Sequence, residues 1–111
     1  MPRDEPCRFT YHDGVLHVEG DLDVTTRGRF GALAEEVRSD GDDLVIDMSG
    51  VSFVDSSTLT VLLRLRTAQR SAGHDLVLRR PSATVTEILR LSGLDTVFTI
   101  DPAGQQGLPV L

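Results

Sequence analysis

The stretch Leu44-Val45-Ile46-Asp47-Met48-Ser49-Gly50-Val51-Ser52-Phe53-Val54-Asp55-Ser56-Ser57-Thr58-Leu59 decides how the rest of this chain is read. Leu44, Val45 and Ile46 are apolar in succession, the pattern of a central strand buried on both faces. Asp47 ends that run. Ser49-Gly50 reads as a turn, and Val51 to Val54 as a short apolar connection. Asp55-Ser56-Ser57-Thr58 then opens a helix, because Asp and Ser oxygens accept the free backbone N–H groups of a first helical turn. Leu59, Leu62, Leu63 and Leu65 give that helix its apolar side to about Ala72, and Gly73 ends it.

Upstream, Arg8 to His12 reads as a strand, Asp13-Gly14 is a hairpin turn, and Val15 to Glu19 is the return strand. Leu16 and Val18 share one of its faces, His17 and Glu19 the other. Residues 20–26, Gly-Asp-Leu-Asp-Val-Thr-Thr, read as a loop rich in helix caps. Phe30, Leu33, Ala34 and Val37 recur at helical spacing as far as Arg38, and Ser39 to Asp43 is a polar turn. Downstream, Asp75 to Arg79 is a strand, and Pro81 and Ser82 start a third helix. Val85, Ile88 and Leu89 face its inner side and Gly93 caps it; Val97 to Ile100 is the last strand. The order is β-β-α-β-α-β-α-β. It predicts a single α/β domain over residues 8–100, with a mixed, mainly parallel sheet, an N-terminal antiparallel hairpin and helices packed against it. Residues 1–7 form an N-terminal tail, and 101–111 a Gly- and Pro-rich flexible C-terminal tail.

Composition narrows the function. At 111 residues and 40% hydrophobic the chain suits one domain, and with four Phe and one Tyr its core must be mostly Val, Leu and Ile. A lone cysteine, Cys7, can form no internal disulfide and no cysteine-based zinc site. The formal net charge of −6 disfavours nucleic acid or an anionic membrane as partner. No apolar run is long enough to insert in a bilayer, and the N-terminus lacks the apolar stretch of a signal peptide, so a cytoplasmic location is expected.

Functional loops of such a sheet gather beyond the carboxyl ends of its parallel strands. That places Asp21, Asp23, Asp47, Asp55, Ser56, Ser57, Arg80 and Ser82 at one end of the domain. Simple capping accounts for Asp-Ser-Ser-Thr, yet a helix N-terminus also accommodates a phosphate. A catalytic serine needs a base within reach. His74 follows the helix that Ser57 begins, His12 precedes the hairpin turn, and His17 lies mid-strand; the chain has no Lys. No catalytic residue is therefore assigned. Aspartates in loops usually cap helices and close turns, so no metal site is assigned, and the absence of a Gly-rich phosphate loop leaves no nucleotide or other cofactor.

Residues 44–59 resemble the signature of STAS domains that act as anti-sigma factor antagonists. That signature is an apolar strand, Asp-Leu-Ser, a short apolar connection with Phe, then Asp-Ser-Ser-Gly-Leu. Residues 20–26 resemble the family's Gly-Glu-Leu-Asp loop, and Leu-Ser-Gly-Leu at 91–94 the end of its third helix; the similarity covers about residues 8–100. The resemblance implies phosphorylation of the second serine, Ser57, with Ser56 and Thr58 as secondary candidates. It implies a partner interface comprising Asp23, Thr25, Asp55, Ser56, Thr58 and Leu59. The implied partners are an anti-sigma factor serine kinase of GHKL type, bound by the unphosphorylated form, and a PP2C-type phosphatase that resets the switch. The protein would be a non-enzymatic monomer or weak homodimer regulating sigma-dependent transcription. The alternative is a constitutive STAS interaction module in a lipid-transport or stressosome-like complex. Thr58 stands where the family has glycine and Thr60 where a small residue is common. At position 58 a β-branched side chain is expected to enlarge the surface a kinase must approach.

Overall fold

The Asp13-Gly14 turn sets the first strand pairing. Both residues take positive φ, 55° and 76°, as a two-residue hairpin of matching twist requires. The turn joins β1 (Cys7–His12) to β2 (Val15–Leu22), with His12 opposite Val15 and Cys7 opposite Gly20. The computed structural model describes residues 7–38 and 41–102. After the hairpin come α1 (Arg27–Val37), β3 (Leu44–Val54), α2 (Ser56–Ser71), β4 (Leu76–Arg79), α3 (Ala83–Ser92) and β5 (Thr99–Asp101). A 3-10 turn at Leu94–Thr96 precedes the last strand. The strands lie in chain order in one sheet, antiparallel at β1–β2 and parallel thereafter, so the expected element order and mixed sheet are both present. The sheet takes in Cys7 and Asp101, one residue beyond each expected domain bound; residues 1–6 and 103–111 of the expected tails lie outside the described residues.

Alternation divides the sheet into two unlike faces. Leu16, Val18, Ile46, Leu76 and Leu78 are buried on one, where Phe30 and Ala34 of α1, Leu59, Leu62 and Leu65 of α2, and Val85 and Leu89 of α3 complete a single core. Cys7 is part of that core, and burial pushes its thiol up to about 11, which keeps it protonated and unreactive at neutral pH. The opposite face carries Thr10, His17, Val45, Val77 and Arg79, all at least partly exposed.

Two sequence expectations change here. β2 continues through Gly20, Asp21 and Leu22, so the loop starts only at Asp23. Ser49-Gly50 is not a turn but the middle of an eleven-residue β3. Against β2, the partner of His17 is Asp47 while that of Glu19 is Gly50, and a second shift separates Gly20–Val51 from Asp21–Phe53. Each shift inserts one extra residue into β3, a bulge that bends the strand without ending it. Gly50 suits the first bulge because a Cβ there would lie 2.9 Å from Glu19 Cγ.

β4, by contrast, pairs only with Leu44–Asp47. Its end therefore lies well short of the end of β3, by the five β2 residues that separate His17, opposite Asp47, from Leu22, opposite Val54, or roughly 17 Å at about 3.3 Å per residue. Asp47 and Arg80, expected beside Asp55, are consequently mid-sheet. Asp47 is 2% exposed; its carboxylate accepts from Ser49 N at 2.9 Å, Ser49 Oγ at 2.7 Å and Arg80 Nε at 2.9 Å, with Arg80 Nη2 also donating. Arg80 reaches it from a left-handed backbone conformation, φ 50°. Ser82 occupies the edge of β3 that β4 leaves free: its N donates to Met48 O at 3.2 Å and its Oγ to Val51 O at 2.6 Å, while Oγ accepts from Val85 N to cap α3.

Burial disfavours the ionised form of Asp47, but the bonds from Ser49 and the Arg80 guanidinium outweigh it and hold the carboxyl below its ordinary 3.8. A depressed native value makes the unfolded chain the better proton binder, so this stabilisation is complete above about pH 4 and is lost as pH falls through the native value. Asp47→Asn is expected to cost about 1–3 kcal/mol at pH 7. In urea titrations its deficit against the wild type should shrink as pH is lowered from 5 towards 2; a deficit constant over that range would show that the charge of Asp47 contributes nothing.

Candidate functional site

One carbonyl joins the three elements that build the site. Leu22 O, the last in β2, accepts from Asp55 N at 3.1 Å and from Thr58 Oγ1 at 3.0 Å. The first bond fixes the exit of β3 beside the exit of β2; the second fixes the first turn of α2 on both. Asp55 is the N-cap, in extended conformation at φ −96° and ψ 175°. Its Oδ1 accepts from Thr58 N at 2.9 Å, as a cap should, and from Ser57 Oγ at 2.7 Å. Desolvation works against ionisation of Asp55, and the hydrogen bonds from Ser57 and Thr58 prevail, holding its carboxyl below the usual range.

The neighbouring loop is equally constrained. Asp23 Oδ1 accepts from Thr25 Oγ1 at 2.6 Å and Thr25 N at 2.9 Å, and these bonds, that from the Thr25 hydroxyl foremost, lower the Asp23 pKa. Thr26, 1% exposed, donates from Oγ1 to Asp21 O at 2.8 Å and accepts from Asp23 N at 3.0 Å, closing the loop from below.

Asp23, Thr25, Asp55, Ser56 and Ser57 thus lie together at the end of the domain where β2 and β3 finish. Ser56 and Thr25 are exposed, and Ser57, Asp23 and Asp55 partly so. Two residues expected in an interface lie elsewhere. Thr58 is 0% exposed with its hydroxyl turned inward to Leu22 O, and Leu59 is 8% exposed and part of the core. The hydroxyl of Thr58 is therefore no surface acceptor in the folded protein, and the side chain does not enlarge the surface beside Ser57. Arg80 and Ser82 are absent from this end, because the sheet register commits them to Asp47 and to the edge of β3. A phosphate on Ser57 could not pair with Arg80.

Sequence reasoning overlooked Thr26, Arg27 and Arg64. Arg27 opens α1 and lines, with Ser57, Thr60, Val61 and Arg64 of α2, a cleft of about 290 Å³. Arg64 follows Ser57 by two helical turns and so shares its face, a spacing legible in the sequence. Arg27 reaches the cleft only because α1 packs on α2, where a Cβ on Gly31 would already lie 3.4 Å from Val61 Cγ1. No histidine approaches Ser57. His74 pairs with Asp43 at 3.6 Å beyond the far end of α2, while His12 and His17 stack at 4.6 Å on the open face of the sheet, His17 Nδ1 lying 3.8 Å from Asp47. Among the described residues no group of three or more His, Cys, Asp or Glu is arranged to hold a metal ion.

The family model described as "Mlab, STAS domain" matches residues 7–101, and the chain belongs to the STAS domain family. An anti-sigma factor antagonist from Mycobacterium paratuberculosis is 28% identical, superposing with a TM-score of 0.62 over 88% of this chain and 86% of its own. The anti-sigma factor antagonist SpoIIAA in its unphosphorylated form is 18% identical, with a TM-score of 0.68 over 87% of this chain and 89% of its own. An anti-sigma-factor antagonist (STAS) domain protein from Planctomyces limnophilus gives 17% and 0.66 over 89% and 92%. This chain has the fold of those antagonists.

Asp55→Ala removes the cap of α2 and the acceptor of the Ser57 hydroxyl. It should lower stability by about 1–2 kcal/mol, read as a shifted urea midpoint at unchanged m-value. An unshifted midpoint would mean that the Leu22 carbonyl alone sets the start of α2.

Proposed function

We propose that this protein is an anti-sigma factor antagonist switched by phosphorylation of Ser57. Unphosphorylated, it binds an anti-sigma serine kinase of GHKL type and so frees a sigma factor. The kinase phosphorylates Ser57, the complex parts, and a PP2C-type phosphatase restores the binding form. The observation that carries this reading is the contrast between neighbouring hydroxyls. Ser57 Oγ, in the partly exposed first turn of α2, is oriented by the Asp55 carboxylate, whereas the hydroxyl of Thr58 is turned into the core.

The physics of the switch follows from that position. A helix N-terminus carries partial positive charge, so a phosphate there does not unfold the domain. It adds about −1.5 to −2 charge to a surface formed by Asp23, Thr25, Asp55 and Ser56. Carried into an interface shaped without it, a charge of that size costs several kcal/mol in desolvation, enough to weaken binding roughly a hundredfold or more. Release needs no change of fold.

Phosphosite-resolved mass spectrometry of the chain isolated with its bound proteins from native cells tests the reading. Phosphate is expected on Ser57, with a GHKL kinase bound to the unmodified form alone. Ser57→Ala should hold the kinase as the wild type does but resist release by ATP, and protein carrying phosphoserine at 57 should bind at least about a hundredfold more weakly. Ser57 unmodified in every growth condition, with a stable non-kinase partner, would instead make the domain a constitutive interaction module.

A further inference from the structure

We propose that Arg27 and Arg64 form a clamp that receives the phosphoryl group of Ser57, closing the cleft they line. The inference rests on the reading of Ser57 as the modified residue. Phosphoryl transfer from ATP replaces the Oγ–H bond of Ser57 with Oγ–P; ADP leaves and the hydroxyl proton passes to solvent. The hydrogen bond from Ser57 Oγ to Asp55 Oδ1, 2.7 Å in the unmodified protein, then has no proton to sustain it. Two anionic groups would face each other, and the phosphate must turn away. The space open to it is the cleft of about 290 Å³ whose remaining walls are Arg27, Thr60, Val61 and Arg64.

The receiving groups are suited to the task. Both arginines are exposed, and among the described residues neither is engaged in a salt bridge or side-chain hydrogen bond. Helical side chains lean towards the N-terminus, so Arg64 reaches back along α2 towards the turn of Ser57 over a rise of about 10.5 Å. Arg27 approaches from α1, which packs so near α2 that a Cβ on Gly31 would lie 3.4 Å from Val61 Cγ1. Guanidinium groups bind phosphate oxygens in bidentate fashion, which a point charge does not reproduce. The clamp changes what phosphorylation does to the surface. The modified serine would bring negative charge and also consume two free cations, so a partner that had used Arg27 and Arg64 in docking loses them in the same step.

The full chain carrying phosphoserine at 57 is titrated by ³¹P NMR, alone and as Arg27→Gln/Arg64→Gln. The helix N-terminus is common to both proteins and Asp55, which opposes the second ionisation, is too, so the difference isolates the arginines. The second phosphate pKa of the parent chain should lie about one unit below that of the double variant. Arg27→Lys/Arg64→Lys should recover only part of that shift. Equal pKa values in parent chain and Gln variant would overturn the clamp. Should the double variant not fold, Arg27→Gln and Arg64→Gln are titrated singly: each should raise the second phosphate pKa above that of the parent chain, and values equal to the parent in both would equally overturn the proposal. None of these readouts involves a kinase, so the clamp can fail while Ser57 remains the switch; phosphate never found on Ser57 in cells removes the switch itself.

Discussion

The carbonyl of Leu22 is the point on which the functional end of this domain depends. A carbonyl oxygen has two acceptor positions, and here Asp55 N and the Thr58 hydroxyl occupy both. The loop bearing Asp23 and Thr25 begins one residue after it, and the helix bearing Ser57 is docked directly on it. The two halves of the site belong to different crossovers, so nothing local holds them together. The pairing of β2 with β3 brings them side by side, and one saturated acceptor at its end fixes the helix start against the loop.

Much of the architecture can be read from the chain without coordinates. Hairpin, capped helices and strand order rest on local chemistry: Asp13-Gly14 has to take positive φ, Asp55 and Ser82 present oxygens to free N–H groups, and Gly93 adopts the left-handed conformation at φ 78° that ends α3. What escapes is register. Ser49-Gly50 has the composition of a turn, yet pairing of Glu19 with Gly50 keeps it in the strand. Strand order places the exits of β3 and β4 at the same end of the sheet, but β3 has eleven residues and β4 four, which no local pattern specifies. Arg80 is misplaced for that reason alone. At the site, Ser57 and its cap are legible from the Asp-Ser-Ser motif, whereas Arg27 depends on how two helices pack.

The distribution of charge gains meaning from the same register. Acidic residues outnumber basic ones in the first half of the chain, and strand order alone gives the end bearing Asp23 and Asp55 a single cation, Arg80, which the register then withdraws to Asp47. The fold tempers this by bringing Arg27 and Arg64 to the same end. Each of the two carboxylates is already engaged, Asp23 by Thr25 and Asp55 by Ser57 and Thr58, so they act as structural acceptors as much as surface charge. Mid-sheet, the most buried carboxylate, Asp47, is neutralised locally by Arg80.

Three adjacent hydroxyls, Ser56, Ser57 and Thr58, are nearly equivalent to any enzyme that reads only sequence. Tertiary structure makes them unequal, since the innermost one can be reached only after the first turn of α2 opens. Such an opening breaks the cap and the Leu22 contact together, and so belongs to the costly end of the protein's local fluctuations. Under the proposed phosphorylation of Ser57, part of the discrimination usually ascribed to an enzyme's recognition pocket would thus be vested in the substrate. Loosening that turn, by a destabilising mutation or by heat, would erode site selectivity before it abolished the fold.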